Sequence, residues 1–466
     1  MSRRTRDVSY DPSSYITDLR QAITRYLPRS GLALVSDDRK LRWVPRMLVT
    51  CAILTSWDLA DLLTDAFERA RGVVAAMYPS RRRPGATYAG FAKTLARQTA
   101  GHLAVVAPRL RRHVRRLALK CGRWRSGKRP AFGVDGSKVE CPMTAANEKG
   151  FGTCGKNKTG PQQFLTTLFH VGTGLVWDFR RGDARASERA HLLEMLAMLP
   201  LDAILLADAG FVGYDFLKAI LGEEEPPGVG RRRRRGRTFL IRVGANVRLL
   251  TKLGWCCREY DGIVYLWPDE VQKKKGHPLV LRLITLTDPR NRRTHLLTAV
   301  LDPNELSDAE AGELYRKRWG VEVIYRSLKQ TMGNRKLRSA SPANAVAELD
   351  WAVVGLWLLG LMGVERIVEA GGAPGDWSVA AGLRAVRRAM ESPPPSPPRT
   401  RRRRRPRLAE ALAVATRDAY TRTRPKAARH WPHKKKDKPP GDPKARTASE
   451  SQIKLAAELR KQRAAA

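Results

Sequence analysis

From Pro130 to Leu221 the hydrophobic period of the chain changes in a set order, and that order admits few folds. Ala131-Phe-Gly-Val-Asp135-Gly-Ser, Gln163 to His170 and Gly174 to Phe179 are short runs rich in β-branched and aromatic residues, joined by Gly-containing turns. They read as three antiparallel strands. Ser187 then offers an N-cap to a helix with Glu188 and Arg189 in its first turn, running through Leu192 to Leu199, where Pro200 stops it. A short buried strand, Ala203 to Ala207, closes on Asp208, and a helix from Phe211 to Leu221 follows. Three strands, helix, strand, helix implies an α/β protein: a mixed sheet with helices on its faces.

This is the element order of a ribonuclease-H-like core, in which the first strand is central and the fourth lies beside it. Asp135 on the first strand and Asp208 at the end of the fourth then meet at one edge of the sheet. Taken singly, Asp135-Gly136 and Asp208-Ala-Gly each also read as a plain turn. Past Leu221 the core is interrupted. A basic hairpin-like stretch, Gly230 to Arg237, leads into the strand Thr238 to Val243, and alternating runs follow at 262–267, 278–286 and 295–301. These runs predict a small all-β subdomain inserted at about 244–302.

Tyr315 to Lys329 contains only Gly320 as a helix breaker and reads as one helix. At about 100° per residue, Tyr315, Arg318, Glu322 and Lys329 fall in a stripe roughly 60° wide, beside an apolar face of Leu314, Val321, Ile324 and Leu328. Alone, each charge reads as ordinary solvated surface. Together they suit a site that holds a metal ion and grips a phosphate. Asp135, Asp208 and Glu322 are the hard oxygen ligands that Mg²⁺ takes along with phosphate oxygens and waters. Two Mg²⁺ ions would activate an attacking oxygen and stabilise a leaving one, with Mn²⁺ able to substitute.

Charge indicates what such a site would act on. Lys and Arg number 87 against 45 Asp and Glu, a net charge of +42, which implies a polyanionic partner and foremost nucleic acid. Residues 1–128 read as a helical N-terminal domain, and the basic amphipathic segment Arg109 to Arg125 within it reads either as a solvated face or as a DNA-contacting row. The catalytic region spans 129–340, a helical segment 341–391, and a basic low-complexity tail 392–466, which alternates weak helices (Leu408 to Ala419, Ser449 to Arg463) with Lys/Pro-rich coil and is expected to be mostly disordered without a partner. The apolar run Trp351 to Val364 reads as a core helix rather than a membrane span. With no apolar signal core at the N-terminus, a cytoplasmic, nucleoid-associated location is expected. The six cysteines lack metal-ligand spacing and are expected to be free thiols.

At these residues the chain resembles the DDE transposases of bacterial insertion sequences, in the insertion-sequence-four-like branch. Val134-Asp-Gly-Ser137 is similar to the first acidic block and Ala207-Asp-Ala-Gly-Phe-Val-Gly-Tyr-Asp-Phe216 to the second. Tyr315, Arg318, Glu322 and Lys329 match the branch's Tyr-Arg-Glu-Lys signature without a gap. The 114 positions from Asp208 to Glu322 exceed the spacing of compact transposases, and this branch fills the excess with a β insertion. The resemblance covers about residues 130–365.

The resemblance implies that Asp135, Asp208 and Glu322 are the metal-binding and catalytic triad. It also implies that Tyr315, Arg318 and Lys329 hold phosphates near the cut end, and that Arg242 touches DNA. Ala209 departs from the family, where many members have Arg after the second Asp. Relatives stack a flipped base on a Trp of the insertion, for which Trp255 and Trp267 are candidates, with packing the competing role. The implied reaction is hydrolysis at terminal inverted repeats, then attack of the 3′-hydroxyl on target DNA, carried out by a homodimer. The alternatives are a ribonuclease-H-like nuclease without strand transfer and a domesticated, non-catalytic DNA-binding protein.

Overall fold

The computed structural model describes residues 13–27, 32, 43–80, 83–153, 160–222, 236–253, 261–289, 291–391, 407–417 and 441–465. Ten strands form one mixed sheet. β1 (Ala131–Glu140), β2 (Gln162–His170) and β3 (Leu175–Gly182) run antiparallel, and β4 (Ile204–Ala207) and β5 (Thr238–Val243) join parallel on the other side of β1. The order 3-2-1-4-5 therefore makes β1 central with β4 at its side, as the element order predicted.

Period-2 alternation divides these strands between two cores. Phe132, Val134, Leu205, Ala207, Phe239 and Ile241 face the larger one. On the other face Ala131, Ile204, Leu206 and Leu240 pack under Leu314 of a late helix, Asp308–Arg316. Helix α1 (Glu188–Met195) follows β3 and contributes Leu192 and Met195 to the larger core.

The predicted insertion differs from expectation in two ways. Its strands β6 (Arg248–Leu250), β7 (Ile263–Leu266), β8 (Leu279–Thr287) and β9 (Arg293–Thr298) do not form a sheet of their own, because β9 pairs antiparallel with β5 and continues the core sheet. Nor is it all-β, since it includes a helix at Asp269–Lys273. The basic stretch from Gly230 to Arg235 lies outside the described residues.

The helical regions before and after the sheet share its larger core. Helix α2 (Tyr88–Lys120) is one continuous element that takes in both the Tyr88 run and the basic segment, and α3 (Pro342–Glu369) packs along it. Trp351 of α3 donates to Thr99 Oγ1 at 3.1 Å, and Trp57 donates to the Gly355 carbonyl at 3.0 Å. By length and composition α3 is apolar enough to cross a membrane, and 89% of its apolar window is buried inside the chain. A helix apolar on all sides needs such surroundings.

The tail is the largest correction. Leu408–Ala413 forms a helix whose Leu408 and Leu412 are buried in the main core. Further on, β10 (Lys444–Arg446) pairs parallel with the edge strand β6, and α4 (Glu450–Ala465) buries Ala456 and Leu459 against Leu250, Tyr265 and Trp267. A strand of three residues has almost no local signal; the edge it completes lies nearly two hundred positions away.

Candidate active site

Parallel register builds the site. Gly133 of β1 is opposite Leu206 of β4, so two residues on, Asp135 stands level with Asp208. Ala207 is opposite Ile241 of β5, so Arg242 comes next in the same row. Neighbouring strands lie about 4.8 Å apart, and alternation turns all three side chains toward the face that carries Leu314. Asp135 Oδ1 accepts from the Gly136 amide at 2.9 Å, and Asp208 Oδ1 caps the turn after β4 by accepting from the Gly210 amide at 2.8 Å. The second oxygen of each is not engaged by these bonds.

The stretch from Tyr315 to Lys329 is not one α-helix. After Asp308–Arg316 the winding tightens to 3₁₀ over Lys317–Trp319, returns to α over Gly320–Arg326 (α5) and widens to π over Ser327–Thr331. Local changes of winding like these concentrate at functional sites. Close approach sets α5 on the sheet: a Cβ on Gly320 would lie 2.7 Å from the Phe169 ring of β2. The Tyr325 hydroxyl lies 2.7 Å from the Asp135 carbonyl and 3.1 Å from that of Leu165, and it donates to them. Sequence reading missed Tyr325, an apolar-looking residue whose hydroxyl is buried at the first acid.

The cations flank this row. Arg318 is only 9% exposed, and its Nη1 lies 3.7 Å from Asp135 Oδ2. Its guanidinium stands 5.7 Å from the centre of the Tyr315 ring. Arg318 Nε and Nη1 and the Tyr315 hydroxyl are buried, and among the described residues none has a hydrogen-bond partner within normal geometry. Lys329 Nζ reaches back to β1, donating to Ser137 Oγ at 2.7 Å and to the Lys138 carbonyl at 2.6 Å.

A fourth carboxylate joins the three that were expected. Gly136 alternates to the face opposite Asp135, and Glu188 of α1 fills the space it leaves: a Cβ there would lie 2.4 Å from Glu188 Oε1. Arg189 beside it donates to the Gly210 carbonyl at 2.7 Å and ties α1 to the loop after Asp208. Burial, then the charges of Asp208 and Asp135, push Glu188 up to about 7. Asp135 is likewise raised, chiefly by burial and further by Asp208 and Glu322, against the Gly136 amide and Arg318. The acids are thus near enough to repel one another. In sequence Glu188 is only an acid in a first helical turn, and nothing local marks it.

Among the described residues, no three His, Cys, Asp or Glu side chains converge closely enough to share one ion. The donor set nonetheless suits a hard divalent cation, because it is all carboxylate and mutually repelling, with Arg318 beside Asp135 and Arg189 beside Glu188. Trp267 is 2% exposed and donates to the Gly276 carbonyl at 2.8 Å, so packing accounts for it; Trp255 lies outside the described residues. Cys51, Cys121 and Cys141 are free thiols.

A family model described as "Transposase DDE domain" matches residues 126–358. The chain is 27% identical over 232 residues to "Transposase InsG for insertion sequence element IS4" of Escherichia coli (strain K12), covering 47% of this chain and 49% of that protein. It thus spans about half the length of the curated relative it matches. Among solved structures it is similar to a piggyBac transposase in a synaptic complex with hairpin DNA, with a TM-score of 0.38 at 10% identity, over 84% of this chain and 81% of that one.

Proposed function

The chain belongs to the transposase DDE-domain family, and we propose on that premise that it cuts DNA at the terminal inverted repeats of its own mobile element and joins the freed 3′-hydroxyl ends to target DNA. The observation that carries this reading is the register that sets Asp135 level with Asp208, with Glu322 close enough to raise Asp135 further. The 3-2-1-4-5 strand order supports a ribonuclease-H-like core.

Asp135, Asp208 and Glu322 would hold two divalent cations, Mg²⁺ in the first instance. Such ions, when bound, polarise the water or 3′-hydroxyl that attacks phosphorus and neutralise charge on the leaving oxygen. Arg318 and Tyr315 hold the phosphate with donors that have no hydrogen-bond acceptor among the described residues. Lys329 sits at the same strand and takes a neighbouring phosphate, and Arg242 extends the cationic row beyond Asp208. Tyr325 and Arg189 fix the backbone under Asp135 and Asp208, so that the acids meet the DNA in a set geometry. The protein acts as a homodimer on paired ends, beside the chromosome in the cytoplasm.

The test is a duplex carrying the inverted repeats that flank the gene. Mg²⁺-dependent nicking of that duplex, lost in Glu322→Ala while DNA binding persists, supports the reading. Transfer of the nicked strand into a second duplex separates a transposase from a nuclease. Metal-independent binding by the unmodified chain, without cutting, would overturn the enzyme and leave a DNA-binding protein.

A further inference from the structure

We infer that the outward face of helix α2 is a second DNA-backbone contact, made by Arg109, Arg112 and Arg116 and separate from the carboxylate site. The inference rests on the proposed function for the identity of the polyanion.

The cations of this segment divide into two classes. Arg111 is engaged with Asp178 at 3.1 Å, Lys120 with Glu369 at 3.6 Å and Arg125 with Asp202 at 2.8 Å, while Arg115 lies over the Trp124 ring at 5.4 Å. Arg112 and Arg116 are exposed and Arg109 half-buried, and among the described residues none of the three has a carboxylate partner. At about 100° per residue they share an arc of roughly 60°. Like charges at this spacing destabilise a helix unless something outside it neutralises them.

Beside them, around His113, cations outnumber acids. His113, beside the stripe, is held below its usual range by burial first and then by Arg116, with Arg109 and Arg25 adding and Glu365 opposing. Glu365, the nearby acid, is already taken by Arg25 at 2.6 Å and by the Tyr26 hydroxyl.

The dimensions suit a duplex. The seven residue steps from Arg109 to Arg116 rise about 10 Å, close to three phosphate-to-phosphate steps at about 3.4 Å of axis each. The stripe belongs to a helix on the face of the sheet opposite Asp135. Arg111 pairs with Asp178, whose register neighbour Leu168 stands opposite Val134, on the face from which Asp135 turns away.

The experiment is the salt dependence of binding of the full chain to a labelled duplex of arbitrary sequence. Neutralising three phosphate contacts lowers the slope of log affinity against log salt by about 2 to 3, at about 0.9 per contact. We expect that decrease for Arg109→Gln/Arg112→Gln/Arg116→Gln, and about 0.9 for each single variant. Gln keeps helix propensity, and a thermal melt checks folding. Lys120→Gln/Arg125→Gln, which removes paired cations, is expected to change the slope by less than about 1. An unchanged slope in the triple variant, or an equal decrease in the paired-cation control, overturns the inference while leaving Mg²⁺-dependent nicking by the unmodified chain as a separate question. A chain that binds no DNA overturns both.

Discussion

Two groups of acids, one buried and one half-buried, border the same sheet and are treated oppositely by the fold. Asp178 on β3 and Asp350 on α3 are 3% and 1% exposed, and each has its arginine: Arg111 and Arg180 for Asp178, at 3.1 and 3.3 Å, and Arg181 for Asp350, at 2.8 Å. Asp135 and Glu188 are instead raised in part by other carboxylates, Asp208 and Glu322 acting on Asp135 and Asp208 and Asp135 on Glu188, with Arg318 3.7 Å from Asp135 and Arg189 opposing at Glu188. Both groups include an acid held well above its usual range, Asp350 at about 6 and Glu188 at about 7. The causes differ. Asp350 is raised by burial alone, with Arg181 opposing, whereas Glu188 is raised by burial and by two neighbouring carboxylates. A raised acid is therefore not by itself a sign of function; an acid raised by other acids marks a place where a bound cation would be favoured.

The contrast is open to breaking by substitution. The largest effect is expected at the unpaired acids: Glu322→Ala or Asp208→Asn lowers the nicking rate by at least about 10³-fold, on the order of 4 kcal/mol of barrier. The melting temperature should hold or rise as repulsion is relieved. A rate within tenfold of the unmodified chain would remove the acid from the chemistry.

At the paired acids the effect moves to stability. Asp350→Ala leaves Arg181 without its partner and is expected to cost about 2 to 3 kcal/mol in denaturant unfolding, below the full figure for a buried pair because Arg181 is 31% exposed. Its DNA nicking at low temperature should be unchanged.

Glu188→Gln sharpens the boundary between the groups. A reduction of about 10- to 100-fold in nicking with DNA affinity retained would place Glu188 with the functional acids, and a loss of stability alone would place it with Asp350.

The smallest effect is in pH dependence. Asp350 binds its proton more tightly folded than unfolded, so the stability it contributes is complete below about 4 and lost as pH rises through about 6. Asp350→Asn should flatten that decline, measured as the difference in unfolding free energy between the two chains across this window.

Much of this site was legible residue by residue. Asp135 and Asp208 stand level across β1 and β4 with Arg242 next in the row, and Arg318 and Lys329 reach β1 beside Asp135, because side-chain alternation is a local property that survives folding. The winding of the late helix was not legible: steps of 3, 4 and 7 read equally well on one α-helix, and the sheet beneath, through Phe169 and Tyr325, sets where it tightens and widens. Glu188 was hidden for a related reason, since it reaches the acids through a space defined only by the missing side chain of Gly136.

The amino-acid sequence by itself determined the alternating elements, their order and the signs of the charges, since these follow from side-chain periodicity and composition. Tertiary structure alone decided which charges are neutralised and which are left over. It also decided that β10, from a stretch that reads as coil, and α4, which reads only as a weak helix, close the edge of the sheet at β6. Pairing and edge completion depend on groups a few ångströms apart in space and up to two hundred positions apart in the chain, and local preference carries no information at that range.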